Sequence, residues 1–294
     1  MSKSKDWFEA TRPKTLAAAW VPVATGTVLA WYYAEVWWPS VIIALFCAFC
    51  IQIGTNLAND YFDFKKGADT EERVGFKRAT ASGAISEQQI FAATILSFGL
   101  AFFAGIYLVW YGGWVVLLIG VLSILFGILY TGGPFPLAYN GLGDIFVLIF
   151  FGLVAVHGTY YVSTLDWNMD VMAASLAIGA LAVNILVINN LRDVHTDKKA
   201  NKNTLGVIFG ENFLRYEYIA MLLLAYSAPL WYVFGLGFDY TVLLPLLTIP
   251  LSIPLIKSVF FEEDKASLNI TLEKTAKFMV IYGLLFVIGF ILAA

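Results

Sequence analysis

Asn56, Asn59, Asp60 and Asp63 fall at i, i+3, i+4 and i+7 within NLANDYFDFKKGAD, which closes a run of more than fifteen largely apolar residues. In a helix that spacing places all four on one face. Asp69 follows after Gly67, a residue that lets the chain turn. A second stretch, NNLRDVHTD at 189–197, has the same character: Asn189, Asp193 and Asp197 step by four, with Asn190 alongside. Carboxylates and amides offer hard oxygen donors, the ligands that Mg²⁺ takes together with water and substrate phosphates. Basic residues border both clusters, Lys65, Lys66 and Arg78 near the first and Lys198 and Lys202 near the second. Acidic faces edged by cations suit a metal–diphosphate complex. The plainer alternative for any one aspartate is a helix cap at a membrane boundary, where charge costs little. His195 lies inside the second cluster, but an all-oxygen site has no need of it.

The elements that carry these residues are membrane helices. The chain has 294 residues, 60% hydrophobic and 13% charged, half the charge content of an ordinary soluble domain. Its mean hydropathy is +0.77. The apolar residues come in blocks long enough to cross a bilayer, which takes roughly 20 residues. Nine spans are expected, at 14–33, 39–63, 89–110, 113–131, 143–162, 170–193, 213–234, 240–258 and 275–293. The polar start MSKSKDWFEATRPKT has no small-residue cleavage site after a short apolar core, so the first span is expected to stay as an anchor.

With nine spans, the N-terminus and the 2–3, 4–5, 6–7 and 8–9 connections share one side, and all 18 Lys and Arg fall there. The positive-inside rule makes that side cytoplasmic, leaving the C-terminus external. The 4–5 connection carries no basic residue and is placed by parity alone. Seven of the nine tryptophans (Trp31, Trp37, Trp38, Trp110, Trp114, Trp167 and Trp231) fall at the opposite edge, as an aromatic belt does. The carboxylate clusters therefore sit at the cytoplasmic ends of spans 2 and 6. No basic tail or aromatic–basic pattern points to nucleic acid, and no feature calls for an obligate protein partner. Cys47 and Cys50 form a C-x-x-C inside span 2, without the solvent access that redox chemistry needs, and read as packing. His157 lies toward the external edge, far from the aspartates, and is expected to bond between helices. Asp144, at the start of span 5, is open between a helix cap and a functional role. Ser86 and Gln89 form a capping box ahead of span 3.

At these residues the chain resembles the UbiA superfamily of intramembrane aromatic prenyltransferases. NDYFD matches the start of that family's N-D-x-x-D-x-x-x-D motif, but Gly67 stands at its last position and the third carboxylate is displaced to Asp69. This is similar to the N-D-Y-x-D-x-x-x-G-x-D form of the branch that prenylates 1,4-dihydroxy-2-naphthoate. Asp193 and Asp197 match the second motif, D-x-x-x-D, and KNTL at 202–205 fits the same branch. RPKTL at 12–16 and YTGGPFPLAYNGLGD at 130–144 resemble further family segments, so the likeness runs from residue 12 to about 210. The resemblance implies a single all-α domain over 1–294, a bundle of nine transmembrane helices in the inner membrane whose active site opens to the cytoplasmic side. It implies Mg²⁺ as cofactor, with Asp60, Asp63, Asp69, Asp193 and Asp197 as ligands. Of these, Asp60, Asp63, Asp193 and Asp197 would be essential to catalysis. Arg12, Asn56, Asn59, Lys66, Arg78, Tyr139, Asn189, Asn190, Lys198 and Lys202 would contact a polyprenyl diphosphate and an aromatic acceptor. The implied reaction is prenyl transfer coupled to decarboxylation, yielding demethylmenaquinol. From other classes, a cation-coupled transporter would place its carboxylates near the midplane instead. A CDP-alcohol phosphotransferase would need a D-G-x-x-A-R signature, which is absent.

Overall fold

The computed structural model describes residues 3–69, 74–76 and 78–294. Among them the structure is helical, apart from one isolated parallel bridge between Asn140 and Asn203. Arg73 and Lys77, counted above toward the basic side, lie outside the described residues. The long helices are α1 (Ala17–Tyr33), α2 (Trp38–Lys65), α3 (Glu87–Leu129), α4 (Gly143–Thr164), α5 (Val171–Lys199), α6 (Glu211–Gly235), α7 (Tyr240–Phe261) and α8 (Leu268–Ala293). Among the described residues, seven of these are long and apolar enough to cross a membrane by themselves. An eighth is counted when α1 is joined, across a 48° bend, to the N-terminal helical segment Lys3–Thr15.

α3 contains two of the expected spans. As a straight rod its 43 residues would reach about 65 Å, twice the thickness of a bilayer's hydrocarbon core. The helix breaks at Gly113, whose φ of 72° and ψ of −158° lie in a region essentially reserved for glycine. The limbs then fold back on each other. The Phe98 ring on the first limb lies 2.9 Å from where a Cβ on Gly54 of α2 would stand, and 3.4 Å from one on Gly127 of the second limb. The break coincides with the boundary expected between residues 110 and 113.

In lipid, helices associate through close packing more than through hydrophobicity, and small residues permit the approach. A Cβ on Gly152 of α4 would stand 2.4 Å from the Ser175 carbonyl oxygen and 3.0 Å from Gly179 Cα of α5. α5 is consequently the central helix, with 78% of its apolar window buried against 11% for α3, which faces outward with Phe103, Trp110 and Trp114 strongly exposed. Large aromatics fill the core beside it, and their hydroxyls are satisfied: Tyr232 donates to the Asp170 carbonyl at 2.6 Å and Tyr282 to that of Ala225 at 2.5 Å.

The connections sort to two ends, as parity requires. At one end Trp37 stacks on Tyr111 at 3.8 Å and donates its amide to the Ser163 carbonyl, while Tyr33 bonds Asp170 at 2.8 Å. At the other end, Asn56 Nδ2 donates to the Thr11 carbonyl, the 139–140 segment meets Asn203, and Asn269 Nδ2 donates to the Val74 carbonyl. Each of the five segments assigned to one side, including the 4–5 connection that no charge had placed, thus has a contact at this end of the bundle. His157 bonds Ser175 Oγ at 2.8 Å and the Asn168 carbonyl at 3.2 Å, a contact between helices away from the aspartates. Both cysteines are free and buried. The Ser86–Gln89 capping box is formed in both directions.

Nothing stands within 4 Å of a Cβ at Gly113, so its demand for glycine is purely conformational. Gly113→Ala should lower stability by about 1–3 kcal/mol. Gly99→Ala, equally open but at ordinary φ, should be neutral or slightly stabilising. Thermal melts of both variants in detergent make the comparison, and equal melting temperatures would refute a strained hairpin at residue 113.

Candidate active site

The clusters at the ends of α2 and α5 border a single cavity of about 630 Å³. Asn56, Asn59, Asp60 and Asp63 line it from α2, Asn189, Asn190 and Arg192 from α5, and Arg12, Arg78 and Lys202 from the connections. Farther in, the wall is apolar. Phe126 of α3 packs on Phe146 and Phe150 of α4, with ring centroids 4.9 and 5.4 Å apart, and Phe102, Ile106 and Val154 continue it. The middle of α4, Leu148–His157, is wound as a π-helix, a geometry often found beside functional sites.

Each carboxylate is held by donors from another part of the chain or from its own helix. Asp60 accepts the backbone amides of Ala79 and Thr80, at 2.9 and 3.0 Å, one on each oxygen. It thereby pins the RATASG turn over the cavity. Asp63 accepts the Tyr139 hydroxyl at 2.9 Å and Arg78 at 3.2 Å. Arg78 Nε lies 3.5 Å from Asp69, which brings the displaced third carboxylate into the same group. Asp193 receives a two-pronged contact from Arg192, at 2.8 and 2.6 Å. Asp197 lies 3.7 Å from Lys202. All of these side chains except Lys202 are a tenth exposed or less, so pairing is essential to their charge.

The amides are equally engaged. Asn59 accepts the Thr131 hydroxyl at 2.7 Å, and Asn189 accepts Arg192 at 2.7 Å. Lys66 donates to the Thr131 carbonyl at 2.6 Å and sits 4.3 Å from the centre of the Tyr139 ring, with Lys202 at 5.6 Å from the same ring. Burial lowers the Lys66 pKa and Lys202 adds to this, while Asp63 opposes it. Burial raises the pKa of Tyr139, reinforced by the charges of Asp63, Asp69 and Asp197. One tyrosine therefore feels carboxylates from both clusters, which brings the two motifs to one place.

Arg12 holds a left-handed backbone, φ 55° and ψ 59°, which costs a non-glycine residue about 1–2 kcal/mol. The turn sets its guanidinium 3.5 Å from the Asn56 carbonyl, at the cavity wall. Of the expected site residues, Lys66, Asp69, Tyr139, Asp193 and Asp197 are not among the lining residues but stand beside the wall on their partners, and Lys198 is neither lining nor buried but exposed. His195 is exposed too, 3.7 Å from Glu211.

Sequence reading passed over Arg192, which it counted only as a topology charge. This guanidinium is buried and joins Asn189, Asp193 and, at 2.8 Å, Asn269 of α8. A basic residue inside the apolar turn of a membrane helix, beside an aspartate, was the available signal. Thr131 and Tyr130, also on the wall, carry no such signal.

Among the described residues, no three His, Cys, Asp or Glu side chains are close enough to hold a bare metal ion. The donor set is nevertheless all oxygen, and each carboxylate oxygen that accepts one hydrogen bond keeps a second lone pair. Such a set fits a hard divalent ion that draws the rest of its coordination from a bound diphosphate, as Mg²⁺ commonly does.

Comparison with known proteins agrees with this architecture. The chain is 36% identical over 300 residues to the 1,4-dihydroxy-2-naphthoate octaprenyltransferase of Escherichia coli (strain K12), covering 100% of this chain and 97% of the relative. It is 33% identical over 292 residues to the protein of the same name from Bacillus subtilis (strain 168), covering 97% and 92%. In fold it is similar to a UbiA homolog from Aeropyrum pernix K1, with a TM-score of 0.70 at 16% identity and coverage of 95% and 97%. It is also similar to a UbiA homolog from Archaeoglobus fulgidus bound to GPP and Mg²⁺, with a TM-score of 0.67 at 16% identity and coverage of 98% and 99%. The model of the UbiA prenyltransferase family matches residues 19–281, and with it the transporter and phosphotransferase readings fall away. This multi-pass membrane protein belongs to the UbiA prenyltransferase family.

Proposed function

We propose that this protein transfers a polyprenyl group from polyprenyl diphosphate to 1,4-dihydroxy-2-naphthoate, with loss of CO₂, to give demethylmenaquinol for menaquinone biosynthesis. The observation that carries this reading is the junction of unlike halves in one cavity. Asp63 of the first motif bonds the Tyr139 hydroxyl, and Lys202, which pairs with Asp197 of the second, stands over the same ring, next to an aromatic, apolar chamber. A charged diphosphate and an apolar tail are thereby held by one continuous surface. The relatives' names supply the acceptor.

In this reading Asp60, Asp63, Asp69, Asp193 and Asp197 would hold Mg²⁺ together with the diphosphate, Asp60 also pinning the turn at 79–80. Mg²⁺, when bound, neutralises the diphosphate and favours its departure. Arg12, Lys66, Arg78 and Lys202 take the phosphate oxygens, and Asn56, Asn59, Asn189 and Asn190 add neutral contacts. Burial, reinforced by three carboxylates, raises the Tyr139 pKa, so it keeps its proton and serves as a hydrogen-bond donor at the junction. As the allylic C–O bond breaks, the Phe126–Phe146–Phe150 wall excludes water and offers ring faces to the developing cation. The ring carbon bearing the acceptor's carboxylate then bonds to the allylic carbon. The C–CO₂ bond breaks, its electron pair restores aromaticity, and no net proton is released. The Asp-rich end faces the cytoplasm, and counting the limbs of α3 separately gives nine crossings with the C-terminus outside.

Asp63→Asn and Asp193→Asn should each lower turnover by two to three orders of magnitude, by analogy with loss of one charge-stabilising donor. Asp60→Asn should also lower turnover, but it should in addition speed amide hydrogen exchange at Ala79 and Thr80 by tenfold or more without substrate, because those amides lose a charged acceptor. Near-normal turnover in Asp63→Asn and Asp193→Asn would defeat the two-cluster model. With carboxyl-labelled 1,4-dihydroxy-2-naphthoate, polyprenyl diphosphate and Mg²⁺, labelled CO₂ should appear in step with prenylated quinol, and only when the diphosphate is supplied. Prenylation of 4-hydroxybenzoate with the naphthoate inert would remove the acceptor assignment alone. For orientation, a cysteine at position 38 should react with an impermeant thiol reagent on intact cells and one at position 66 should not; the reverse pattern would invert the topology.

A further inference from the structure

One carboxylate on the cavity wall belongs to neither aspartate motif. Asp144 sits in the first turn of α4 and is 5% exposed, yet it lines the cavity. Its Oδ1 is buried and has no hydrogen-bond partner among the described residues. Among the described residues no cation pairs with it, unlike Asp63, Asp69, Asp193 and Asp197. It does not cap α4 either, whose N-cap is Leu142 without a side-chain bond. The Tyr130 hydroxyl is close by, 3.1 Å from where a Cβ on the adjoining Gly143 would stand, and Tyr130 also lines the cavity. Thr204 presents a second buried hydroxyl without a hydrogen-bond partner to the same cavity.

A buried, unpaired carboxylate oxygen is costly to keep unless a ligand completes it. A diphosphate is the wrong ligand, because two anions would meet with no cation between them. An apolar prenyl chain is equally wrong, having no donor to give. What fits is a neutral hydroxyl on a flat aromatic body, able to lie along the aromatic wall and donate one strong hydrogen bond while any carboxylate on the ring is turned away from Asp144. We infer that Asp144, with the Tyr130 hydroxyl beside it, forms the subsite that binds a ring hydroxyl of the aromatic acceptor. This deepens the function proposed above and rests on it. A hydroxyl donating to a carboxylate pushes electron density into its ring, and when it is the hydroxyl ortho to the attacking carbon, that enriches the carbon that meets the allylic cation. Since no net proton leaves in the decarboxylating transfer, Asp144 holds the hydroxyl proton without having to remove it.

Binding to the purified protein distinguishes this subsite from the diphosphate site. Wild-type protein should bind 1,4-dihydroxy-2-naphthoate about ten- to a hundredfold more tightly than at least one of its two monohydroxy analogues, 1-hydroxy-2-naphthoate and 4-hydroxy-2-naphthoate, the loss expected for one charged hydrogen bond. In Asp144→Asn that preference should shrink to about threefold or less, while affinity for Mg²⁺ with polyprenyl thiolodiphosphate stays within twofold of wild type and so reports an intact fold. Equal wild-type affinity for all three naphthoates overturns the inference without any variant. So does an Asp144→Asn protein that keeps the preference, or one that loses thiolodiphosphate binding instead. Binding of 4-hydroxybenzoate with no binding of any naphthoate removes the proposed acceptor and this subsite with it.

Discussion

Charge held at the edge of a membrane has to be paired, and in this protein the pairing is what assembles the polar end of the bundle. Asp60 fastens the turn at 79–80. Asp63 gathers Tyr139 from the connection before α4 and Arg78 from the one before α3. Arg192 ties Asp193 to Asn189 and to α8. These contacts are strong because the groups are shielded from water, and breaking one would leave a buried charge unmatched. The connections are therefore ordered by the same residues to which the proposed reaction is assigned, so binding surface and loop anchorage would be one network.

That network stands on an apolar frame with a different logic. Lipid offers helices little hydrophobic incentive to associate, so contacts such as Gly152 on Gly179 bring backbones together. α5 becomes the axis and carries the second motif to a fixed depth. The folded-back α3 lies outside, its large side chains turned outward, while Phe102, Ile106 and Phe126 contribute to the cavity. A substrate with a charged head and an apolar tail then meets a surface of matching character along its length. A soluble fold would have to bury that tail by closing over it.

Much of this was legible in the chain. Hydropathy located the long apolar helices, the period of the asparagines and aspartates put each cluster on one helix face, and parity with the charge and tryptophan asymmetry divided the connections into two sets. These are local or additive properties: a helix face depends on neighbours within two turns, and the partition of a segment into lipid depends on its own composition. Even the hairpin at Gly113 was visible, because an apolar run too long for one bilayer must turn back, and a glycine is where it can.

What only the tertiary structure decided is the partner of each polar group. Asp60 and Asp63 are equivalent in sequence, yet one faces backbone amides and the other a tyrosine and an arginine, since that depends on how residues 78–80 and 139 return over the end of α2. Lys198 and Lys202 are equally basic neighbours of Asp197, but Lys198 is exposed at the end of α5 and does not line the cavity. Lys202 comes back after the chain turns at Asn201, whose left-handed backbone reverses its direction. Arg192 looked like a topology charge because its true contacts, Asn269 and the 74–76 segment, are brought near by helices distant in sequence. Asp144 could have capped a helix until the structure showed it buried on the cavity wall. Spans and faces are properties of a segment and survive in its sequence, whereas pairings belong to the packing between segments and arise only when the bundle closes.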